Sequence, residues 1–340
     1  MPDDRYSRQT LFAPIGREGQ RRLGQSRVAI VGLGALGTVL ATQLVRAGVG
    51  FVRLIDRDVI EPSNLQRQSL YDERDADVGR AKAEAAAEKL KLANGAVTID
   101  AKAEDLTWRN AEGLLADVDV IVDGTDNFPV RYLINDLAVK HTIPWSYGGA
   151  VSSYGTTAFI RPLETPCLVC LFGEGSGDGG HDTCDTVGVI APVVSMVASL
   201  QVAEVLKYLT GNMAALSNAL GTIDVWTNEY QFVRMGLPNA ECPCCKHHQF
   251  SSLEARTDGL TVSLCGRQTV QVHPSKGLAK PLAEIADRLK RVGDVRHNGN
   301  LLRLDLGDVQ VSLFANGRAL IHGVEDEAAA KSIYSRYIGW

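Results

Sequence analysis

The segment VAIVGLGALG, residues 28–37, joins a run of apolar, mainly β-branched residues to a G-x-G-x-x-G spacing formed by Gly32, Gly34 and Gly37. A strand that ends in such a turn and leads into a helix presents backbone N–H groups and the positive helix end to a phosphate. The segment therefore predicts a βαβ unit that opens at Val28 and binds a nucleotide or a dinucleotide. The spacing alone does not distinguish between the reactions that such a unit can serve.

The pattern around this segment indicates the fold class. From Val28 to about Tyr147, short β-branched runs alternate with helical patterns, which is typical of a parallel sheet with helices on its faces. The predicted strands are VAIVG, FVRLID, AVTID, VDVIVD and IPWSY, followed by TTAFIRP. The predicted helices are Leu36 to Ala47, Gly79 to Leu92, a piece around Leu114, Val130 to Lys140 and Pro192 to Leu209. We expect an α/β domain with a Rossmann-like, doubly wound, mostly parallel sheet.

A second, smaller domain is expected after the segment CPCCKHHQFSS. The sequences LTVSL and TVQVH predict strands, and apolar residues at 282, 285, 286 and 289 predict a helix. Two more predicted strands, VQVSLFA and RALIHGV, flank Asn316-Gly317, a strong signal for a two-residue hairpin. A helix containing Tyr334 follows. We therefore predict a domain over residues 1–249 and a small α+β module over residues 250–340.

Composition excludes several classes of function. The 340 residues are 45% hydrophobic with a net charge of −5, so we expect neither a nucleic-acid nor an anionic-membrane surface. The N-terminus has no basic segment followed by an apolar run, and the longest apolar stretch, Val187 to Leu200, contains Gly188 and Pro192. We thus expect no signal peptide and no membrane span. Seven cysteines without an export signal indicate reduced thiols in a cytoplasmic enzyme.

Charged residues after the second predicted strand narrow the chemistry. That strand ends in Asp56, 24 residues after Gly32 (56 − 32), where a carboxylate can accept hydrogen bonds from ribose hydroxyls. A helix dipole contributes only about 0.3–1 kcal/mol towards an anion. A cation at ~4 Å contributes on the order of 4 kcal/mol at an effective dielectric near 20. Departing pyrophosphate therefore calls for cations, and the polar and basic residues expected beside the turn are Asn64, Arg67, Gln68 and Lys82. The alternative for any one of these cations is a solvated surface charge.

The segment VDVIVDGTDN ends the fourth predicted strand. Ligands of open parallel sheets lie beyond the carboxyl ends of the strands, so we expect Asp123 and Asp126 to face the same crevice as Gly32 and Asp56. A carboxylate there can hold Mg²⁺ bridging the phosphates. The alternative is that Asp126 or Asn127 caps the next helix, and one aspartate could cap while the other binds metal.

Two C-x-x-C pairs predict a metal site. Cys167 with Cys170 and Cys242 with Cys245 supply the four thiolates of a tetrahedral structural zinc site. Neither pair lies at the strand-to-helix start expected of a thioredoxin-like redox motif. Other residues beside the second pair leave an alternative ligand open: Cys244, His247 and His248.

The remaining cysteines have different settings. Cys184 follows a Gly-rich segment and precedes a predicted helix near Ile190, where a thiol can have a depressed pKa and act as a nucleophile. The alternative is an incidental loop cysteine. Cys265, in the apolar LTVSLCG run, is most simply a small buried hydrophobe.

Taken together, the motifs resemble those of the ThiF/MoeB family of E1-like enzymes. The resemblance covers about residues 5 to 248 and rests on RYSRQ, GLGALG, DRD followed by NLQRQ, GRAK, DGTDN, PCLVC, CDTVGVIAP followed by QVAEVLK, and CPCC. It implies an enzyme that uses Mg-ATP to adenylate the C-terminal Gly-Gly carboxylate of a ubiquitin-like carrier, ThiS or MoaD, releasing pyrophosphate. A sulfur donor would then convert the acyl-adenylate to a thiocarboxylate.

The resemblance also implies roles for particular residues. Asp56 would bind ribose, Asp126 would coordinate Mg²⁺, and the phosphates would be contacted by Arg67, Gln68 and Lys82. Arg8 of RYSRQ matches an arginine that reaches the ATP site of the other subunit, which implies a homodimer. The four paired cysteines match the zinc site of the family. Cys184 matches a loop cysteine that some members use covalently in sulfur transfer.

The sequence departs from the family pattern in two places. Ala35 stands where a glycine is common, and the C-terminal module lacks a rhodanese pattern, since Cys265 falls in a predicted strand. We therefore expect sulfur from a separate protein, such as a cysteine desulfurase or sulfurtransferase, and the module could help to select the carrier. Thiamin, molybdopterin, tRNA-thiolation and specialised pathways are all compatible with these motifs.

Three alternative functions explain less of the sequence. An NAD-dependent dehydrogenase would use the glycines and Asp56 but not Arg67, Lys82, DGTDN or the cysteine pairs. A catalytically inactive E1-like scaffold would have lost the charged site. A tRNA-modifying dehydratase of the same fold is disfavoured by the two C-x-x-C pairs and Cys184.

Overall fold

The computed structural model describes residues 5–174, 187–254, 261–264 (backbone only), 269–272, 274, 277–297, 299, 301–324 and 326–339. The chain divides into two compact units, Met1–Arg256 and Thr257–Trp340. The predicted boundary lay seven residues earlier (256 − 249). The difference arises because the short helix Ser251–Glu254 packs on the helix Phe128–His141 of the first unit.

The first unit is built on one sheet of eight strands in the order β3-β2-β1-β4-β5-β6-β7-β8. The strands are β1 Arg27–Val31, β2 Phe51–Ile55, β3 Thr98–Lys102, β4 Val120–Asp123, β5 Trp145–Val151, β6 Tyr154–Ile160, β7 Ala219–Asp224 and β8 Glu229–Arg234. Strands β1 to β5 pair in parallel, and β5 to β8 pair antiparallel. The predicted Rossmann-like, mostly parallel fold is confirmed. The antiparallel β7–β8 hairpin was not predicted.

Helices surround the parallel half of this sheet. Over the described residues they are α1 Ser7–Thr10, α2 Gly16–Leu23, α3 Ala35–Ala47, α4 Glu73–Asp77, α5 Lys82–Ala93, α6 Ala111–Leu115, α7 Phe128–His141, α8 Leu168–Phe172, α9 Ala191–Leu209 and α10 Ser251–Glu254. Helix α3 ends at Gly48, whose φ of +86° is the left-handed conformation that favours glycine at a helix end. The predicted helices thus form within a few residues of their expected bounds.

Both faces of the central strands of the sheet are buried, as a doubly wound fold requires. Alternate residues of β1 serve two cores: Val28 and Ile30 pack with one cluster, whereas Ala29 and Val31 pack with the other. Helices α3, α5 and α9 cover the first face, and α6 and α7 cover the second. Full burial of each large aliphatic side chain contributes about 1.5–3 kcal/mol. Each strand therefore has to be apolar at nearly every position, which explains why β1 reads as a continuous apolar run.

Helix α9 is the one helix in the described ranges that is long and apolar enough to cross a membrane by composition, with a mean hydropathy of 1.2. It packs along α3, β5 and β6. Gln201 on this helix is fully buried and donates hydrogen bonds to the carbonyl oxygens of Asp123 at 2.8 Å and Ser146 at 3.1 Å. These contacts are those of a core helix, which accounts for its apolar sequence.

The second unit is an antiparallel sheet with helices on one face. Its strands are β9 Thr261–Leu264, β10 Thr269–Val272, β11 Asp294–His297, β12 Leu301–Asp305, β13 Gln310–Phe314 and β14 Ala319–His322, in the order β11-β12-β13-β14-β10-β9. Its helices are α11 Leu282–Leu289 and α12 Glu327–Tyr337. The hairpin predicted at Asn316-Gly317 forms between β13 and β14, but its loop has three residues, 315–317, and not two, because the Phe314 N–H donates to the Arg318 carbonyl oxygen at 2.8 Å. Gly317, with a φ of +89°, takes the left-handed position of that loop. The β11–β12 hairpin was not predicted.

Candidate nucleotide site and cysteine cluster

Three backbone segments meet where β1 turns into α3. Gly32 has a φ of +84°, and its N–H donates to the Ile55 carbonyl oxygen at 2.8 Å. A side chain at Gly37 would overlap the Gly32 carbonyl oxygen, and one at Gly124 would lie 2.6 Å from the same atom. Glycine is therefore required at these positions by close approach of the backbone. The turn leaves Gly34 as the N-cap of α3, at the positive helix end.

Asp56 holds this turn in place. Its Oδ2 accepts a hydrogen bond from the Leu33 N–H at 2.6 Å, and its Oδ1 accepts one from the Asp58 N–H at 2.7 Å. Burial raises the pKa of the Asp56 carboxyl, and the nearby Lys82 charge opposes that rise. The carboxylate thus organises the turn besides lying where a ribose is expected.

Lys82 is a buried cation at the first position of α5. Its side chain is 3% exposed, and its Nζ lies 3.2 Å from Asp58 Oδ2. The Tyr71 hydroxyl lies 2.9 Å from the Leu33 carbonyl oxygen and 3.3 Å from that of Lys82. Asp58 and Tyr71 were not among the site residues predicted from the sequence. The carboxylate two residues after Asp56 was a usable signal for the first, whereas nothing in the sequence marked Tyr71.

The segment between β2 and α4 carries the other predicted phosphate contacts. Gln68 is buried, and its Nε2 lies 3.7 Å from the position that a Cβ on Gly34 would occupy. Gln68 Oε1 is buried and has no hydrogen-bond partner among the residues that the structure describes. The Asn64 Oδ1 accepts a hydrogen bond from the Glu61 N–H at 3.1 Å. Arg67 donates to the Ser63 carbonyl oxygen at 3.0 Å. The structure therefore brings Gln68 to the glycine turn, whereas the Asn64 and Arg67 bonds are to their own loop.

The polar residues in the loop after β4 make different contacts. Asp123 is fully buried, and its Oδ2 lies 3.0 Å from Arg131 Nε, so the expectation that Asp123 faces an open crevice is wrong. Its Oδ1 accepts hydrogen bonds from the Thr125 N–H at 2.8 Å and hydroxyl at 2.7 Å. Asn127 is the N-cap of α7, which leaves the exposed Asp126 as the carboxylate available to a metal. The buried Arg131 was missed, because a basic residue one turn into a helix usually faces solvent.

Arg8 lies near the end of helix α3 that is farther from the glycine turn. Its neighbour Gln9 donates to the Ala47 carbonyl oxygen, at the end of α3, at 2.9 Å. Tyr6 accepts a hydrogen bond from Asn94, just after α5, at 2.8 Å. Helix α3 has 13 residues, which span about 20 Å. Within one chain, the exposed Arg8 is therefore not brought to Gly34.

The four paired cysteines converge on one point. The Sγ atoms of Cys167, Cys170, Cys242 and Cys245 all lie within 4.8 Å of one another. Three of the distances are 3.8 Å for Cys167–Cys170, 3.6 Å for Cys167–Cys242 and 3.5 Å for Cys170–Cys245. A tetrahedral ion with zinc–sulfur bonds of about 2.3 Å separates its ligands by roughly 3.8 Å. The residues therefore fit a structural zinc ion.

Cys244, the alternative ligand, points into a polar cluster beside this site. Its sulfur accepts from Asn135 Nδ2 at 3.2 Å and lies 3.4 Å from Asp136 Oδ1. The Asn135 Oδ1 accepts from the Leu168 N–H at 2.8 Å, and Asp136 Oδ2 accepts from the Ser252 N–H at 2.8 Å. Burial raises the pKa of Asp136 to about 6. Helix α7 thereby holds both cysteine segments. Cys184 and Cys265 fall outside the described residues.

Comparisons with known proteins identify relatives of this chain. The chain is 45% identical over 337 residues to the sulfur carrier protein ThiS adenylyltransferase of Bacillus subtilis (strain 168), covering 98% of this chain and 99% of that one. It is 38% identical over 247 residues to the sulfur carrier protein adenylyltransferase of Thermus thermophilus, covering 71% and 90%. It is 36% identical over 251 residues to the SAMP-activating enzyme E1 of Haloferax volcanii, covering 74% and 92%.

The fold comparison points the same way. The crystal structure of E. coli MccB with MccA-N7isoASN superposes with a TM-score of 0.62, covering 72% of this chain and 75% of that chain at 24% identity. This likeness shows the fold alone. The ThiF family profile matches residues 6–244, a range that includes the glycine turn, Lys82 and three of the four clustered cysteines, and that ends one residue before the fourth, Cys245. The chain belongs to the ThiF family.

Proposed function

We propose that this protein uses Mg-ATP to adenylate the C-terminal Gly-Gly carboxylate of a ThiS- or MoaD-like sulfur-carrier protein. A carboxylate oxygen of the carrier attacks the α-phosphorus of ATP. The bond from that phosphorus to the bridging oxygen breaks, and pyrophosphate leaves with the electron pair. The product is the acyl-adenylate of the carrier, a mixed anhydride that a sulfur nucleophile can then attack. The names of the relatives, which act on sulfur carriers, support this activity for a chain that matches one of them over nearly its whole length.

The observation that carries the proposal is the buried Lys82 beside the glycine turn, paired with the partly exposed Asp58. A lysine 3% exposed costs desolvation, and a phosphate of ATP would supply a further anion to offset that cost. The cation would gain interaction with pyrophosphate as its charge develops, which is the condition for accelerating the reaction. An NAD-dependent hydride transfer would develop no charge at this position.

The chain's own residues suit the expected metals. Asp126, exposed after β4, would hold Mg²⁺ with the ATP phosphates. The four clustered thiolates would hold Zn²⁺ in a closed tetrahedral site, which supports structure and leaves no open position for substrate. Zinc would tie the segment around α8 to the segment that follows β8.

Arg8 and Cys184 extend the proposal beyond a single chain. Because Arg8 lies about one helix length from its own glycine turn, it would serve the ATP site of a second copy, and the working unit would be a homodimer. Cys184 would act, if at all, after adenylation, when a separate desulfurase or sulfurtransferase delivers sulfur. We place the enzyme in the cytoplasm, where thiols remain reduced.

The decisive experiment is carrier-dependent ATP–pyrophosphate exchange. ThiS-like and MoaD-like carriers are offered in parallel, each with a matched carrier that lacks the terminal glycine, and acyl-AMP formation is followed by mass spectrometry. We expect exchange only with an intact Gly-Gly terminus, and the preferred carrier identifies the pathway. Exchange without any carrier, or binding of NAD in place of ATP, contradicts the proposal.

Point variants test which cations contribute. Lys82→Ala and Arg67→Ala should each abolish detectable exchange, a loss of about 10²-fold or more for an electrostatic contact to the developing charge. Lys91→Ala is the matched control, because Lys91 is exposed on the same helix α5. Equal activity of the Lys82→Ala and Lys91→Ala proteins would show that the buried cation is not part of the reaction.

A further inference from the structure

Five residues around the glycine turn form a closed circuit of hydrogen bonds. The N–H groups of Leu33 and Asp58 donate to the two carboxylate oxygens of Asp56. The Lys82 N–H donates to the Asp58 carbonyl oxygen at 3.0 Å. The Tyr71 hydroxyl closes the circuit, lying within hydrogen-bond distance of both the Leu33 and the Lys82 carbonyl oxygens. The circuit therefore fixes the start of α5 relative to the turn.

Tyr71 is the one member of this circuit that joins the two segments through a single side-chain atom. Its hydroxyl carries one proton, so the two carbonyl oxygens at 2.9 and 3.3 Å share one donor. Tyr71 is 7% exposed and belongs to the same apolar core as Leu33 and Ala83. Burial raises the pKa of Tyr71 well above its ordinary value, which keeps the hydroxyl a donor.

We propose that Tyr71 is a positioning residue that sets the Lys82 ammonium against the phosphates bound at the glycine turn. It acts through the Leu33 and Lys82 backbone and touches no reacting atom. The inference rests on the proposed function, because it requires an anion of ATP to lie within reach of Lys82. If the distance from the Lys82 ammonium to a phosphate oxygen of ATP increased by about 1 Å, from ~4 to ~5 Å, their Coulomb attraction would weaken. At a dielectric near 20 the loss would lower the affinity for the nucleotide about fourfold.

The test removes one oxygen. Tyr71→Phe keeps the ring and deletes the hydroxyl, and Tyr334→Phe is the matched control. Tyr334 is also buried, at 1% exposed, and its hydroxyl donates to the Gly317 carbonyl oxygen at 2.8 Å in the second unit. Binding of an ATP analogue with a methylene group between the α- and β-phosphorus is measured by titration calorimetry with saturating Mg²⁺ and no carrier. We expect Tyr71→Phe to raise the Kd about fourfold and Tyr334→Phe to leave it unchanged.

A double-mutant cycle separates positioning from a general structural role. If Tyr71 acts through Lys82, then Tyr71→Phe should change the Kd by less than about 1.5-fold when Lys82 is already alanine. An equal, about fourfold effect in both backgrounds would overturn the proposal, as would no effect in the unmodified chain. A Tyr71→Phe protein that fails to fold would also overturn it, because the hydroxyl would then serve the fold itself.

The outcomes also separate this inference from the function on which it rests. Failure of the unmodified chain to bind the analogue would contradict the proposed use of ATP, and with it the role of Tyr71. Normal binding together with uncoupled Tyr71 and Lys82 effects would contradict only the role of Tyr71.

Discussion

Replacing Arg131 by methionine leaves the Asp123 carboxylate buried without its cation. In the intact chain Arg131 Nε lies 3.0 Å from Asp123, and the guanidinium also donates to the carbonyl oxygens of Thr125 at 2.6 Å and Gly148 at 3.0 Å. Removing one partner of a buried pair typically costs about 3–5 kcal/mol, because an uncompensated charge remains. We therefore expect Arg131→Met to lower the free energy of unfolding of the first unit by about 4 kcal/mol at pH 7.

The pH dependence identifies the charge as the cause. Burial already raises the pKa of Asp123, and Arg131 is the main group that opposes this rise. Without Arg131 the folded-state pKa rises further above the unfolded value of about 3.9. The stability associated with the protonated carboxyl is fully present below the unfolded pKa and is lost as pH increases through the folded pKa. The deficit of Arg131→Met relative to the unmodified chain should therefore grow as pH increases from the folded-state pKa of Asp123 in the unmodified chain towards the higher folded-state pKa in the variant.

Urea denaturation followed by tryptophan fluorescence at several pH values measures this deficit. The double variant Asp123→Asn/Arg131→Met removes both charges and should recover about 2 kcal/mol at pH 7 relative to Arg131→Met. Its deficit should not depend on pH in this range. A deficit for Arg131→Met that is constant with pH, or a double variant no more stable than the single one, would refute the electrostatic explanation.

Three further predictions concern the cysteines and the exposed Arg8. Cys242→Ser should lose bound zinc, whereas Cys244→Ser should retain about one zinc per chain by metal analysis, since a closed site takes four thiolates. Zinc retained in the Cys242→Ser protein would show that Cys242 is not a zinc ligand. Arg8→Ala and Lys82→Ala proteins, each inactive alone, should regain about a quarter of the intact exchange activity when mixed under subunit exchange, because half of the dimers then hold one complete site; absence of recovery would argue that Arg8 does not act across the dimer. Cys184→Ala should keep full carrier-dependent exchange and slow at most thiocarboxylate formation; loss of exchange in the folded protein would place Cys184 in adenylation.

The parallel half of the first unit was readable from sequence because local and global signals agree there. Gly32, Gly34 and Gly37 mark the turn, and the apolar runs mark strands buried on both faces. The β7–β8 hairpin escaped because β8, Glu229–Arg234, is exposed along its whole length. Its apolar residues Tyr230 and Phe232 are half exposed, so β8 lacks the continuous apolar run that marks the central strands.

The sequence predicted most of the residues that form the site but few of the contacts that those residues make. Lys82 and Asp56 were placed beside the turn from their spacing, and the four cysteines from their pairing. Their partners were not predicted, because the pairing of Asp123 with Arg131 and of Tyr71 with two carbonyl oxygens depends on side-chain directions in three dimensions. Sequence spacing gives the order of residues along an element but not the atom that each one reaches.

The close packing of Gly32, Gly37 and Gly124 has a consequence for how such sequences are searched and classified. The backbone would exclude a side chain at these three positions even from a protein that had lost every ligand. A match at these glycines therefore diagnoses the architecture and carries little information about the molecule that is bound. Charged pairs such as Asp58 with Lys82, and not the glycines, distinguish an ATP-cleaving enzyme from a redox enzyme. Sequence profiles that give more weight to those charged positions should sort the two groups more accurately.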